Sequence, residues 1–208
     1  MIGILDLDMG NLRSLSKAVY SFGYDFVLVR APKDLDNATH LMVPGVGAYR
    51  TAVSHVDDQG LRDGISAFAA SGRPIAGICL GMQILSASGE EGGESRGLGL
   101  IPGRVVRMNP AGGLNLPLPH VGWNTTRFKR KDHPVFHKVK DGRDFYYVHS
   151  YHLRCDNPEH VLAETDYGAN VAAIVGSGNV IGFQFHPEKS QANGLRLIEN
   201  FCGWNGQC

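Results

Sequence analysis

The chain has no charge excess of either sign: Lys plus Arg and Asp plus Glu number 20 each, for a formal net charge of zero over 208 residues. That balance gives no reason to expect a phosphate backbone or an anionic membrane as partner, so small molecules or proteins are expected instead. Cysteine is scarce. The four present, Cys79, Cys155, Cys202 and Cys208, are too few for a disulfide scaffold and have no metal-type spacing. No apolar run reaches the roughly 20 residues of a membrane span. The first such run, Ile2 to Leu7, lacks a basic leader and meets Asp6 and Asp8. These absences lead to the expectation of a soluble protein in a reducing cytoplasm. No glycine-rich phosphate loop ending in Lys-Ser/Thr is present, which argues against a fused ATP-dependent synthase, and there is no repeat or low-complexity tail. No cofactor is expected.

What is present suits one α/β domain spanning 1–208. Ile2 to Leu5 is a short apolar run, after which Leu12, Leu15, Val19 and Phe22 recur at helical spacing until Gly23. Phe26 to Val29, Leu41 to Val43 and Pro74 to Ile78 are further apolar runs, with a helical pattern at Leu61, Ile65, Phe68 and Ala69 between the last two. Continuous apolar strands alternating with helices predict a doubly wound, mostly parallel sheet covered on both faces. After Leu98 the pattern changes to short apolar runs around Val105, Phe145 to Val148, Val161 to Ala163, Val171 to Val175 and Val180 to Phe185, so the C-terminal half should be strand-rich. Ser190 to Phe201 reads as a closing helix, and Met108 to Pro119 as an aperiodic loop.

Three segments carry chemistry. Gly77-Ile78-Cys79-Leu80-Gly81 stands where an apolar strand meets a helix, the layout of a nucleophile elbow with sulfur in place of oxygen. Its glycines would let the chain turn around a strained residue, and the first N–H groups of the helix would favour negative charge on that side chain. Alone, such a cysteine is more often an inert small hydrophobe. Phe183 to Glu188 supplies a base and its orienter: His186 at the end of a strand, Pro187 to bend the chain, and Glu188 to reach back to the ring. Alone, any one of nine histidines is more often structural. Pro44-Gly45-Val46-Gly47 is a glycine-rich turn able to expose N–H donors to a developing oxyanion, or else an ordinary strand-to-helix turn.

In this order and spacing the three segments resemble the class I, triad-type, glutamine amidotransferases, with the likeness covering almost the whole chain. It extends to Asp6 with Met9 to Ser14, Gly77 to Gln83, Pro119 to Asn124, Tyr147 to Tyr151 and His186 to Ser190. These stretches are similar to the branch that serves a (β/α)8 cyclase in histidine biosynthesis. One departure is Leu7-Asp8, where that family usually has Tyr-Gly before Met9.

The resemblance implies that Cys79 attacks the glutamine amide, that His186 oriented by Glu188 moves the proton, and that a glutamyl thioester is then hydrolysed. It implies oxyanion donors at Leu80 and in the Val46-Gly47 segment, which needs rearrangement. Substrate contacts are implied at Gly45, Gln83, Glu91, Ser150 and Tyr151, and a heterodimer interface at Arg13, Trp123, Asn124 and Lys189. The cyclase would act on a phosphoribosyl-formimino carboxamide nucleotide. Rival readings are a subunit of another synthase, such as a sugar-amination paralogue, a stand-alone cysteine γ-glutamyl hydrolase, and a binding module that lost its activity. A zinc site at His133 and His137, or at His149 and His152, is a further alternative that lacks a completing Cys or carboxylate set.

Overall fold

The computed structural model describes residues 1–8, 11–109 and 116–207. Met9, Gly10, the central part of the Met108 to Pro119 loop, and Cys208 therefore lie outside the described residues.

In chain order the elements are β1 (Ile2–Leu5), α1 (Leu12–Ser21), β2 (Phe26–Val29), β3 (His40–Gly45), α2 (Tyr49–Asp58), α3 (Arg62–Ala70), β4 (Ile75–Cys79) and α4 (Leu80–Ile84). They continue as β5 (Ser86–Gly89), β6 (Ser95–Arg96), β7 (Ile101–Arg107), β8 (His120–Phe128), β9 (Arg143–His149), β10 (Tyr151–Cys155), β11 (Val161–Asp166), β12 (Asn170–Ser177), β13 (Val180–Phe183) and α5 (Gln191–Cys202).

The main sheet runs β2-β1-β3-β4-β13-β12-β11-β8-β9. The strands from β2 to β13 pair in parallel, and those from β13 to β9 pair antiparallel. The parallel half is the doubly wound part; the strand-rich half extends the same sheet from β13. A smaller sheet, β10-β7-β5-β6, lies beside it.

Strand side chains alternate between two cores, as a period of two requires. Ile2 and Ile4 of β1, Met42 of β3 and Ile78 of β4 join Leu15 and Val19 of α1 and Leu197 and Phe201 of α5. Leu5, Leu41, Val43 and Ile75 face the other way, onto α2, α3, α4 and the small sheet. Each fully buried Leu, Ile or Phe contributes roughly 1.5–3 kcal/mol by leaving water, so neither face could be left uncovered.

Helix α1 ends as its apolar spacing predicts, with Gly23 at φ 81° just beyond it. Helix α2 is absent from the sequence expectation, although it buries Ala52, Val53 and Val56 at helical spacing. At the departure from the family pattern, Asp8 takes φ 56°, and its N–H is held by Asp6 Oδ1 at 3.1 Å. The backbone there adopts the left-handed turn that glycine takes freely, and aspartate is among the few side chains that tolerate it.

Candidate active site

The elbow forms where β4 runs directly into α4, with Cys79 as the last strand residue and Leu80 as the first helical one. Cys79 itself carries the strain, at φ 54° and ψ −110°. The flanking glycines both stay out of the left-handed region. They permit close approach. A Cβ on Gly81 would stand 1.6 Å from the Val43 carbonyl oxygen, and one on Gly77 would stand 2.6 Å from the Met82 backbone. Strand and short helix therefore press backbone to backbone, and the remaining residue of the turn absorbs the strain.

His186 lies three residues beyond the end of β13 rather than at its last position. Its backbone N–H donates to the Tyr146 carbonyl at 2.9 Å. Ser190 Oγ donates to the His186 carbonyl at 2.7 Å and accepts the Tyr146 N–H at 3.0 Å. Gly194 of α5 lets that helix lie on the turn, since a Cβ there would meet the Pro187 carbonyl at 2.1 Å. So held, Glu188 turns back, and its Oε1 lies 2.9 Å from Nδ1 of His186, with the two side chains 4% and 2% exposed.

With Nδ1 engaged, Nε2 of His186 is buried and has no hydrogen-bond partner among the described residues. Burial disfavours its protonation, but the Cys79 sulfur and the Glu188 carboxylate outweigh burial and raise the imidazole pKa to about 9. In the arrangement seen, the Cys79 thiol donates to the Val148 carbonyl at 3.8 Å. The same sulfur stands near enough to the imidazole to raise its pKa.

Cys79 and His186 open on one cavity of about 210 Å³, lined also by Val46, Gly47, Leu80, Gln83, Glu91, Val148, His149, Ser150 and Tyr151. That is below the usual range for drug-sized ligands and suits a molecule of amino-acid size. Gly45 is not in the lining. It ends β3 opposite Cys79, and its missing side chain keeps Leu80, 3.2 Å from a built Cβ, close to the strand. Gly47, at φ 104°, does border the cavity.

Gln83 Nε2 donates to the Tyr151 carbonyl at 2.9 Å and to Gln184 Oε1 at 3.2 Å. Glu91 Oε2 accepts the Tyr49 N–H at 2.9 Å, which ties its loop to the start of α2. Val148 and His149 are lining residues the sequence reading passed over, although both lie inside the Tyr147 to Tyr151 stretch it singled out.

The predicted interface residues fall into two groups. Trp123, 49% exposed, has its ring centre 6.1 Å from that of Tyr146, and Lys189 Nζ lies 6.0 Å from the same tyrosine ring. Arg13 is exposed on α1, which packs against the Pro187–Lys189 turn. This patch adjoins the His186 turn. Asn124, by contrast, turns its amide inward, to the Asp166 carbonyl at 2.8 Å and to His120.

The zinc alternative finds no support in the geometry, because among the described residues no group of three or more His, Cys, Asp or Glu stands together as a metal would require. A larger hollow of about 450 Å³, lined in part by Arg130, Asp132 and Glu159, includes His133 of that alternative but none of the triad, oxyanion, substrate-contact or interface candidates.

The fold and site together define a class. The sequence pattern of the glutamine amidotransferase class-I family matches residues 4–203, and the chain belongs to that family. Among curated relatives, it is 45% identical over 204 residues to the imidazole glycerol phosphate synthase subunit HisH of Desulfitobacterium hafniense, covering 98% of this chain and 94% of the relative. The protein of the same description from Sulfurimonas denitrificans is 44% identical over 202 residues, covering 97% of each. Among solved structures, a crystal structure of a glutamine amidotransferase superposes with a TM-score of 0.75 at 22% identity, covering 99% of this chain and 98% of that one. The structure of PurLQS from Thermotoga maritima gives 0.75 at 18% identity, covering 97% of each. At these identities the structural likenesses concern the fold alone.

Proposed function

We propose that the chain, acting as one domain, is the glutamine-hydrolysing subunit of imidazole glycerol phosphate synthase in histidine biosynthesis. It releases ammonia from glutamine and passes it to a (β/α)8 cyclase that makes imidazole glycerol phosphate and AICAR. One observation carries the chemistry: the unpartnered Nε2 of His186, its Nδ1 tethered to Glu188, shares a small cavity with the strained Cys79.

In this reading Cys79 Sγ attacks the side-chain amide carbon of glutamine. The developing oxyanion is met by the Leu80 N–H and, after a rearrangement, by an N–H of the Val46-Gly47 segment. His186 gives the thiol-derived proton to the amide nitrogen, the C–N bond breaks, and ammonia leaves a glutamyl thioester. Water then attacks the thioester, His186 takes its proton and returns it to the sulfur, and glutamate departs. Glu188 keeps Nδ1–H oriented throughout. Gln83 and Glu91 present acceptors to the α-ammonium, and the Ser150-Tyr151 backbone meets the other polar atoms.

Ammonia must stay unprotonated and out of bulk water, so it has to leave directly into a docked partner. Trp123, Lys189 and Arg13, with Asn124 behind them, form the face next to the triad. An exposed aromatic and cationic cluster is the kind of surface that anchors an interface. In this reading the enzyme works in the cytoplasm.

The test is ammonia release from glutamine by the purified chain, alone and with a cyclase subunit and its nucleotide substrate. Little turnover alone and a large rise with both is expected. Full activity alone would identify a stand-alone hydrolase, and a chain that ignores the cyclase serves a different synthase.

A further inference from the structure

Two buried imidazoles, His149 in the cavity lining and His120 behind it, are not used by the hydrolytic steps. His149 Nδ1 is 2.9 Å from the Tyr151 carbonyl, His149 Nε2 is 3.1 Å from His120 Nδ1, and His120 Nε2 is 3.3 Å from Asn124 Nδ2. The direction of this chain is fixed from both ends. A carbonyl only accepts, so His149 carries its proton on Nδ1, its Nε2 is a lone pair, and His120 must donate from Nδ1. At the far end, Asn124 Oδ1 accepts the Thr125 N–H at 2.8 Å while Nδ2 donates to the Asp166 carbonyl at 2.8 Å, so its amide presents a donor to His120. The two ends agree.

The His120 ring is held between Tyr147 and Tyr167, with ring centres 4.8 and 4.0 Å away and planes within 24°. Burial keeps both imidazoles neutral, with pKa about 4 for His120 and about 3 for His149; the neighbouring His152 and His186 further disfavour charge on His149.

The Tyr151 carbonyl has two lone pairs, and the other one receives Gln83 Nε2. With its remaining N–H on Gln184, Gln83 has its carbonyl oxygen to offer to the cavity. We propose that His120 and His149 are positioning residues for substrate binding: anchored at Asn124, their one-way hydrogen-bond chain fixes the Tyr151 carbonyl and, through it, the Gln83 acceptor. The proposal rests on the cavity being a glutamine site. It predicts that breaking the chain loosens glutamine binding more than it slows the chemical steps.

Two measurements test it. In the wild-type chain, long-range proton–nitrogen NMR of the imidazoles should find both rings neutral and protonated at Nδ1 near pH 7; either ring protonated at Nε2 overturns the proposal. In steady-state kinetics with the cyclase present, His120→Phe should raise KM for glutamine about 10-fold with kcat within about 3-fold, and His120→Gln, which keeps a donor and an acceptor, should recover most of the loss. Unchanged KM in His120→Phe, or equal damage by both variants, assigns the ring to packing alone and sinks the idea. Absence of glutamine turnover in the wild type with its cyclase would instead overturn the functional reading.

Discussion

Oε1 of Glu188 sits 2.9 Å from Nδ1 of His186, both side chains being almost fully buried. The imidazole pKa, raised to about 9 against burial by Cys79 and Glu188, lies above the ordinary value near 6.5. A raised histidine pKa stabilises the fold fully below the unfolded value and loses that contribution as pH rises through the folded one. Thermal stability should therefore fall between about pH 6.5 and 9, and His186→Gln should flatten the fall in melts across that window. Glu188→Gln, which misorients the ring, should lower kcat by at least about 100-fold.

Cys79→Ala should abolish glutamine-dependent synthesis by the complex and leave ammonia-dependent synthesis intact. Because φ is 54° at this position, Cys79→Gly should be the more stable of the two inactive variants, by about 1 kcal/mol. Denaturant titration of the pair measures the difference, and equal stability would mean the elbow stores no strain.

Asp8 occupies a left-handed turn at φ 56°. Replacing it with glycine removes the Cβ penalty but frees the unfolded chain, so the net gain should be small, between 0 and about 1 kcal/mol. Asp8→Ala should cost about 1 kcal/mol, because alanine keeps the penalty and has no local polar contact. Urea melts of the three proteins give the order.

Acid should destabilise this protein through buried histidines. Desolvation holds His120 and His133 at about 4 and His149 at about 3, so the unfolded chain takes up protons that the folded chain refuses. Stability present above pH 6.5 is lost progressively toward pH 4, at up to about 1.4 kcal/mol per pH unit for each ring. His133→Gln should reduce that slope by about one proton in denaturant titrations at pH 6.5, 5.5 and 4.5.

Trp123→Ala should barely alter the melting temperature of the isolated chain, since its ring is 49% exposed. It should weaken binding to the cyclase by about 2 kcal/mol, roughly 30-fold. Isothermal titration of the two subunits reads this directly, and wild-type affinity in the variant would move the docking face elsewhere.

Local sequence was enough for the parallel half of the sheet, because short apolar runs alternating with helical spacing have few other ways to bury both faces. It also determined the elbow, the His-Pro-Glu turn and their class of chemistry, since strand, glycine and nucleophile are contiguous there. It did not predict α2, whose buried face is Tyr49, Ala52, Val53 and Val56 on an otherwise polar segment, a weak signal until α4 and the small sheet are in place. Only packing shows that Gly77 and Gly81 admit neighbouring backbone on either side of the strained Cys79, that Gly45 stays out of the cavity, and that the Asn124 amide engages His120 and Asp166. Tertiary structure also brought Cys79 and His186, more than a hundred residues apart, to one cavity by pairing β13 in parallel with β4. Contacts of that range are set by sheet register and side-chain volume acting together, and no local pattern encodes them.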